Sequence, residues 1–370
     1  MKKNFLLASW LFGFGNSLSA PLLGLYIYVN SSIVYTLKFV LVTSLFILIG
    51  YLTVGYLVSI WNSAITYIKI GIGLFIAFYL LLLTLGNEVS HYVSFMGMLY
   101  GLAQGFYWCG WDIVFYYTPN KLKFFNNSTY LSLITSLVSP AVYGSILTIF
   151  RNSGYEILFA FTSAFLVLTF LLMDSVRVTA KSNVTRSITV IKDDKVYRVT
   201  MSALTLAGGA NYVLGNLNPI LIYNVSKSYL NFTLINYGLS ILSVISVFIL
   251  RDRLINKIKP HRLVLLSSLA LLLSGASLFF YPIIYLVTFY TTSPLIYPII
   301  DIYNWNNMNR NFLMDYLINR QILLNAGRMT FSLLEIAILS PYVGGEIAVM
   351  LPFVSIASLI FAKNVKQPIS

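Results

Sequence analysis

Long apolar runs separated by short polar stretches make up this chain of 370 residues. Leu41–Ile49 and Leu263–Leu273 hold no charged residue and are interrupted only by serine and threonine. A helix that crosses a bilayer needs about 20 mainly apolar residues, whereas a membrane strand alternates over about ten. The pattern therefore predicts an all-α polytopic membrane protein with twelve transmembrane helices, at residues 5–29, 33–60, 63–86, 91–117, 130–150, 155–174, 199–224, 232–250, 262–280, 282–305, 316–338 and 343–362.

Composition supports this prediction. Hydrophobic residues make up 58% of the chain and charged residues 9%, against about 25% charged in soluble domains. Met1–Ala20 resembles a signal peptide, but the apolar run continues through Tyr28, which favours an uncleaved first helix. Two histidines and the single Cys109 make a transition-metal site improbable and exclude an internal disulfide. No cofactor is expected.

The net charge of +13 is explained by topology rather than by nucleic acid. If the N-terminus is cytoplasmic, nearly all the loop lysines and arginines fall on the cytoplasmic side. The other side receives Arg151 and Lys227, with Lys38 close to it. Lysine and arginine mark the cytoplasmic side of membrane proteins. This asymmetry predicts a cell-membrane protein with both termini in the cytoplasm, and no nucleic-acid partner.

A long basic stretch, Ser175–Arg198, separates the first six spans from the last six. It predicts an N-terminal six-helix bundle at 1–174, a cytoplasmic linker at 175–198 and a C-terminal six-helix bundle at 199–370. Internal matches suggest that the bundles are pseudo-symmetric repeats. The matching elements are Gly13–Asn16 with Pro21 against Gly208–Asn211 with Pro219, and Asp112 against Asp301.

This architecture resembles the major facilitator superfamily, although the family's motifs are degenerate here. In the loop between spans two and three, only Gly55 matches the signature Gly-x-x-x-Asp-Arg-x-Gly-Arg-Arg. On span five, Pro140 and Gly144 match the Gly-Pro-x-x-Gly-Gly motif of exporters, a faint hint of efflux. The resemblance implies a secondary transporter that works by alternating access and is coupled to protons.

Charged residues inside the spans are the main functional candidates, because a charge in the membrane is costly unless it is paired or faces water. The candidates for proton coupling are Asp112, Asp301 and Glu335. Alternatively, the two aspartates and Arg320 form salt bridges that close the inner gate. We expect Asp112 to pair with Arg320 or Arg328, and Asp301 to pair with Arg251. Arg328, near the middle of span eleven, is interpreted either as the site of an anionic substrate group or as part of a structural ion pair.

The resemblance also implies a central cavity lined by spans one, four, seven and ten. Amide and tryptophan side chains on these spans are the cavity candidates; the alternative for the amides is hydrogen bonding that holds helices together. These residues are Asn16, Gln104, Trp108, Trp111, Asn211, Asn216 and Asn218.

The sequence also bears on other functions. It contains no Gly-x-x-x-x-Gly-Lys-Ser/Thr loop, no His-Glu-x-x-His and no paired Asp-rich motifs, so we expect neither an ATPase of the P-loop type nor an enzyme. The alternatives to a transporter are a lipid or glycolipid flippase and, with less support, a membrane-embedded enzyme. The expected partners are the lipid bilayer and a small molecule, for which Arg328 favours an anionic group. The protein is expected to be a monomer.

Overall fold

The computed structural model describes residues 3–58, 60–61, 63–116, 118, 121–151, 153–173, 184–192, 194–251, 258–338, 340 and 342–364. Within these ranges the chain forms α-helices joined by short turns. The helices are α1 Lys3–Ser19, α2 Leu23–Asn30, α3 Ile33–Leu57, α4 Ala64–Leu85, α5 Val89–Tyr116, α6 Lys121–Ile149, α7 Gly154–Leu172, α8 Val184–Thr189, α9 Lys195–Ser226, α10 Tyr229–Ile245, α11 Pro260–Ser274, α12 Pro282–Asn306, α13 Leu313–Ile338 and α14 Val343–Asn364.

Proline lies at one break within a predicted span and at one boundary between two predicted spans. Ala20–Leu22 is a 3₁₀ turn that contains Pro21 and divides the first span into α1 and α2. The predicted break between the ninth and tenth spans is confirmed at Pro282, the first residue of α12. Proline has no N–H to donate, so the first turn of a helix accommodates it without loss.

Nine helical segments of the described residues are long and apolar enough to cross a membrane. The chain is a multi-pass membrane protein, and its surface fits this, since Leu273 is 77% exposed and Phe280 is 79% exposed. Helices α5, α9 and α13 cover three further predicted spans but are not among the nine. They carry most of the candidate amides and charges, which lower their hydropathy. The total of twelve crossings stays a prediction.

The helices pack closely inside each sequence half. In the first half α3 and α4 pack on α5, and α1 packs on α6 and α7; in the second half α9 packs on α12, α13 and α14. Glycine permits one of these contacts: a β-carbon added at Gly105 of α5 would lie 2.8 Å from the Cα of Gly50 on α3. Small residues let membrane helices approach in this way, where dispersion rather than hydrophobicity holds them together.

The two halves meet mainly along three helix pairs, α3 with α13, α6 with α10, and α2 with α9. Between the predicted bundles, residues 174–183 and 193 lie outside the described residues. The rest of the predicted linker includes α8, which packs on α13, and the first turn of α9. Ser59, Asn62 and residues 252–257, which belong to the signature loop and its second-half counterpart, also lie outside the described residues.

Candidate functional site

A cavity of about 570 Å³ lies between the two halves. Its walls come from α1, α5 and α6 on one side and from α9, α10 and α12 on the other. Ligand pockets for small molecules usually have volumes of about 300–1,000 Å³. Pro21 and Pro219, which were matched to each other from the sequence, both line it.

Three of the residues predicted to line the cavity do so: Asn16, Trp108 and Trp111. The carbonyl oxygen of the Asn16 side chain accepts a hydrogen bond from the Tyr79 hydroxyl at 2.9 Å. Trp108 and Trp111 lie edge to face, with their ring centroids 5.8 Å apart. One amide and two tryptophans from α1 and α5 therefore form part of the first-half wall.

The other predicted amides are not among the described lining residues. Asn218 is 1% exposed and accepts a hydrogen bond from Tyr285 at 3.1 Å. Asn216 donates to the carbonyl of Tyr212, one turn back on α9, and Gln104 contacts Tyr100. Asn211 is half-buried on α9. For Asn218 the contact joins α9 to α12 and fits the alternative interpretation, in which buried amides hold helices together. The contact of Gln104 with Tyr100 lies within α5.

The polar wall formed by α6 and α10 was missed by the sequence reasoning. One face of α6 carries hydroxyl residues at intervals of four, three and four positions. These residues, all of which line the cavity, are Ser132, Ser136, Ser139 and Tyr143. Facing them, α10 contributes Asn236 and Ser240, which are also one turn apart, and α12 contributes Tyr290. The signal was present in the sequence as a helical repeat of hydroxyl residues within an apolar span.

Arg328 is not among the described lining residues. Its guanidinium donates to the side-chain oxygen of Asn325 at 3.0 Å and lies 4.3 Å from the centroid of the Tyr212 ring. A cation above an aromatic face is stabilised by the ring quadrupole. Both partners are neutral, so the described contacts of Arg328 include no carboxylate.

An ion pair joins two of the predicted gate residues near the predicted cytoplasmic side. Arg320 on α13 contacts Asp301 on α12 at 2.7 Å, and its guanidinium lies 5.2 Å from the ring centroid of Trp305. The expected pairs were different: Asp112 with Arg320 or Arg328, and Asp301 with Arg251. Asp112 instead accepts a hydrogen bond from the Tyr51 hydroxyl at 2.9 Å, and the Arg251 side chain lies outside the described residues.

These groups come from both halves. Tyr51 and Asp112 belong to α3 and α5, whereas Asp301 and Arg320 belong to α12 and α13. Arg320 is close enough to Asp112 for its charge to act on that carboxylate. Beside them, the rings of Phe115 and Trp305 meet across the halves, with centroids 6.2 Å apart. The predicted gate residues are therefore neighbours, although their pairing differs from the expectation.

Glu335, the third proton-coupling candidate, is fully buried on α13. Neither of its carboxylate oxygens accepts a hydrogen bond from the described residues. Its neighbour is the carboxyl group of Glu346, also fully buried, on α14. Glu346 in turn accepts a hydrogen bond from the backbone N–H of Ser340. An ionised carboxylate is costly in such a buried position beside a second carboxyl group, so Glu335 is suited to carry a proton.

Comparisons with known proteins identify the fold. No protein-family model matches this sequence, and no curated protein sequence matches it significantly. A mutant of the nucleoside transporter NupG is similar with a TM-score of 0.73 and 13% identity, over 97% of this chain and 98% of that chain. The POT family transporter PepTSo gives 0.71 and 10%, over 97% and 96%. A D-xylose–proton symporter gives 0.70 and 14%, over 98% and 97%. The chain therefore has the fold of these transporters, which confirms the predicted all-helical membrane fold of the major facilitator type, apart from the count of twelve crossings.

Proposed function

We propose that this protein is a secondary active transporter that moves a small molecule across the cell membrane by alternating access. The observation that carries the proposal is the cavity of about 570 Å³ between two helical halves. Transporter sites typically lie at the interface of two repeats, which then rock around the bound substrate. The similar structures named above are transporters of nucleosides, of POT family substrates and of D-xylose.

We place the coupling proton at the pair formed by Glu335 and Glu346. Of the three predicted candidates, Asp112 has a tyrosine hydroxyl as hydrogen-bond donor and Asp301 has an arginine as partner. Glu335 has neither among the described residues, and its neighbour is a second carboxyl group. A buried carboxyl group without a donor or a cation can take up or release a proton when its surroundings change, which is what coupling requires.

The transport experiment uses purified protein in liposomes incubated with a metabolite extract, with and without a pH gradient. Mass spectrometry then identifies solutes that accumulate relative to empty liposomes. We expect at least one small solute to accumulate, and the gradient to increase its amount. Accumulation of nothing, together with translocation of a labelled lipid, would replace the transporter by the flippase. Conversion of a solute into a product without any gradient would indicate an enzyme.

We also propose that both termini lie in the cytoplasm. The protein is proposed to act as a monomer. Cys109 is fully buried, so an impermeant maleimide has little access to it in the unmodified chain. Arg151→Cys, in the exposed turn after α6, is expected to react in intact cells. Lys192→Cys, exposed before α9, is expected to react only after permeabilisation. The opposite labelling pattern would invert the topology.

A further inference from the structure

The described lining of the cavity between the halves contains no ionised side chain. Its polar groups are hydroxyls and amides, and its apolar groups include three tryptophans, one of which is Trp10. Arg328, the cation that favoured an anionic substrate, contacts Asn325 and Tyr212 and is not part of this lining. Moving an anionic group from water into such a pocket would cost several kcal/mol, with no cation in the described wall to offset it.

Part of the hydroxyl face of α6 is already used to hold α1. The indole N–H of Trp10 donates to the Thr135 hydroxyl at 3.1 Å, and the hydroxyls of Ser17 and Ser139 are 2.5 Å apart. These bonds fix the wall between α1 and α6.

Three further groups in the cavity wall, one on α6, one on α10 and one on α12, have unused hydrogen-bonding capacity. Tyr143 is 5% exposed, and its hydroxyl makes no hydrogen bond with the described residues. Asn236 is 6% exposed; its amide N–H donates to the Phe232 carbonyl at 3.2 Å, which leaves its side-chain oxygen without a donor among the described residues. The Tyr290 hydroxyl, which lies near Tyr143, also makes none there. None of these three atoms is among the fully buried polar atoms that lack a partner, and all three residues line the cavity. They can therefore be reached by a ligand with hydroxyl groups.

An aromatic surface completes the site. Trp108 is 39% exposed, although it belongs to α5, a helix that packs between α3 and α4. Its ring meets Phe12 edge to face at 6.3 Å and Trp111 at 5.8 Å, and these contacts hold its orientation. A fixed indole in a cavity wall offers a flat apolar surface to the face of a sugar ring or of a base.

We propose that the cavity binds an uncharged solute that carries several hydroxyl groups and one flat apolar face, as a monosaccharide or a nucleoside does. Tyr143, Asn236 and Tyr290 hydrogen-bond its hydroxyls, and Trp108 packs on its face. The polar groups come from α6 in the first half and from α10 and α12 in the second, so the solute contacts both halves. This assignment rests on the proposed transport function and specifies the substrate class.

The test measures binding to the purified full chain with two neutral probes and their phosphorylated counterparts. The probes are D-glucose against glucose 6-phosphate, and uridine against uridine 5′-monophosphate. At least one neutral probe is expected to bind, and its phosphorylated form at least tenfold more weakly. Binding of uridine without glucose identifies a nucleoside, and the reverse identifies a monosaccharide. Tighter binding of the phosphorylated forms, or binding of no probe, overturns the assignment.

Variants locate the binding in this cavity. Tyr143→Phe removes one hydroxyl, and it is expected to weaken neutral-probe binding about threefold to tenfold, as loss of one hydrogen bond does. Asn236→Ala is expected to act similarly. The matched control is Tyr237→Phe, since Tyr237 is 39% exposed on α10 and is not among the described lining residues. Equal effects of Tyr143→Phe and Tyr237→Phe would remove the site from this cavity.

The liposome experiment separates this assignment from the proposed function. If the solutes that accumulate from the extract are anionic, or apolar without hydroxyls, the assignment is wrong while the transporter stands. If nothing accumulates but uridine or glucose binds with the predicted sensitivity to Tyr143→Phe, the binding site stands and the transport function fails. Accumulation of a neutral solute that competes with the bound probe supports both.

Discussion

At the scale of single residues, the carboxyl groups of Glu335 and Glu346 form a buried acidic pair between α13 and α14. Both are fully buried, they contact each other, and Glu335 has no hydrogen-bond donor among the described residues. Burial of an ionised carboxylate without a partner is costly. A protein that keeps such a pair in a membrane helix bundle is expected to use it.

Glu335→Gln is expected to preserve the fold and to remove the dependence of transport on the pH gradient. The amide has nearly the same shape as a protonated carboxyl, so it fixes the pair in one state and leaves no proton to exchange. The measurement is uptake with and without a gradient, beside the melting temperature. Glu88→Gln, at an exposed carboxylate before α5, is the control. Full gradient dependence in Glu335→Gln would place the coupling proton elsewhere.

The pairing of Arg320 is a second question at this scale. Its bond to Asp301 at 2.7 Å is inside the second half, whereas Asp112 lies across the interface. In a double-mutant cycle, Asp301→Asn and Arg320→Gln are expected to couple by about 0.5–3 kcal/mol in stability. Asp112→Asn and Arg320→Gln are expected to couple less. The reverse order would show that Arg320 pairs with Asp112 in the more populated state, as first expected from the sequence.

At the scale of helices, the contact between α6 and α10 depends on Gly144. A β-carbon at this position would overlap the side chain of Thr233 on α10. Gly144→Val is therefore expected to push the helices apart, to lower the melting temperature and to reduce transport. Gly238→Val is the matched control, because a β-carbon at Gly238 on α10 has no atom within 4 Å. Gly144→Ala is expected to have the same effect, and its rescue by Thr233→Gly would confirm that the overlap with Thr233 is the cause. Equal effects of Gly144→Val and Gly238→Val would exclude this cause.

Helices were also the level at which the sequence was most informative. Apolar runs and proline positions predicted the spans, including the start of α12 at Pro282. The four helices expected from the family resemblance all line the cavity, but the named candidate residues do so only on α1 and α5, and α6 and α10 were not expected. The serine face of α6 has a visible period, but no single residue in it is unusual. The pairing of Arg320 with Asp301 depends on how the helices are rotated. It also depends on the Tyr51 hydroxyl, which donates to Asp112 in place of Arg320. The spacing of residues along the chain does not encode either factor.

At the scale of the whole molecule, the two halves contact each other near the predicted cytoplasmic side. The Phe115 and Trp305 rings meet across the interface, beside the groups of Asp112, Asp301 and Arg320. On α2 and α9, Gly24 lies so close to Asn216 that an added β-carbon would be 3.1 Å from the Asn216 carbonyl oxygen. Alternating access requires that these two sets of contacts open in turn, since a path open at both ends would dissipate the gradient.

A reversible cross-link tests this requirement directly. Phe115→Cys and Trp305→Cys, in a chain with Cys109→Ser, place one thiol on each half where the two rings now meet. A disulfide-containing bismaleimide is expected to join the halves and to stop transport, and a reductant is expected to restore it. Each single-cysteine variant should keep transporting after the same treatment. Because the link holds only the cytoplasmic ends together, neutral-probe binding should survive while transport stops. Unchanged transport in a fully cross-linked sample would mean that the halves do not separate at this end.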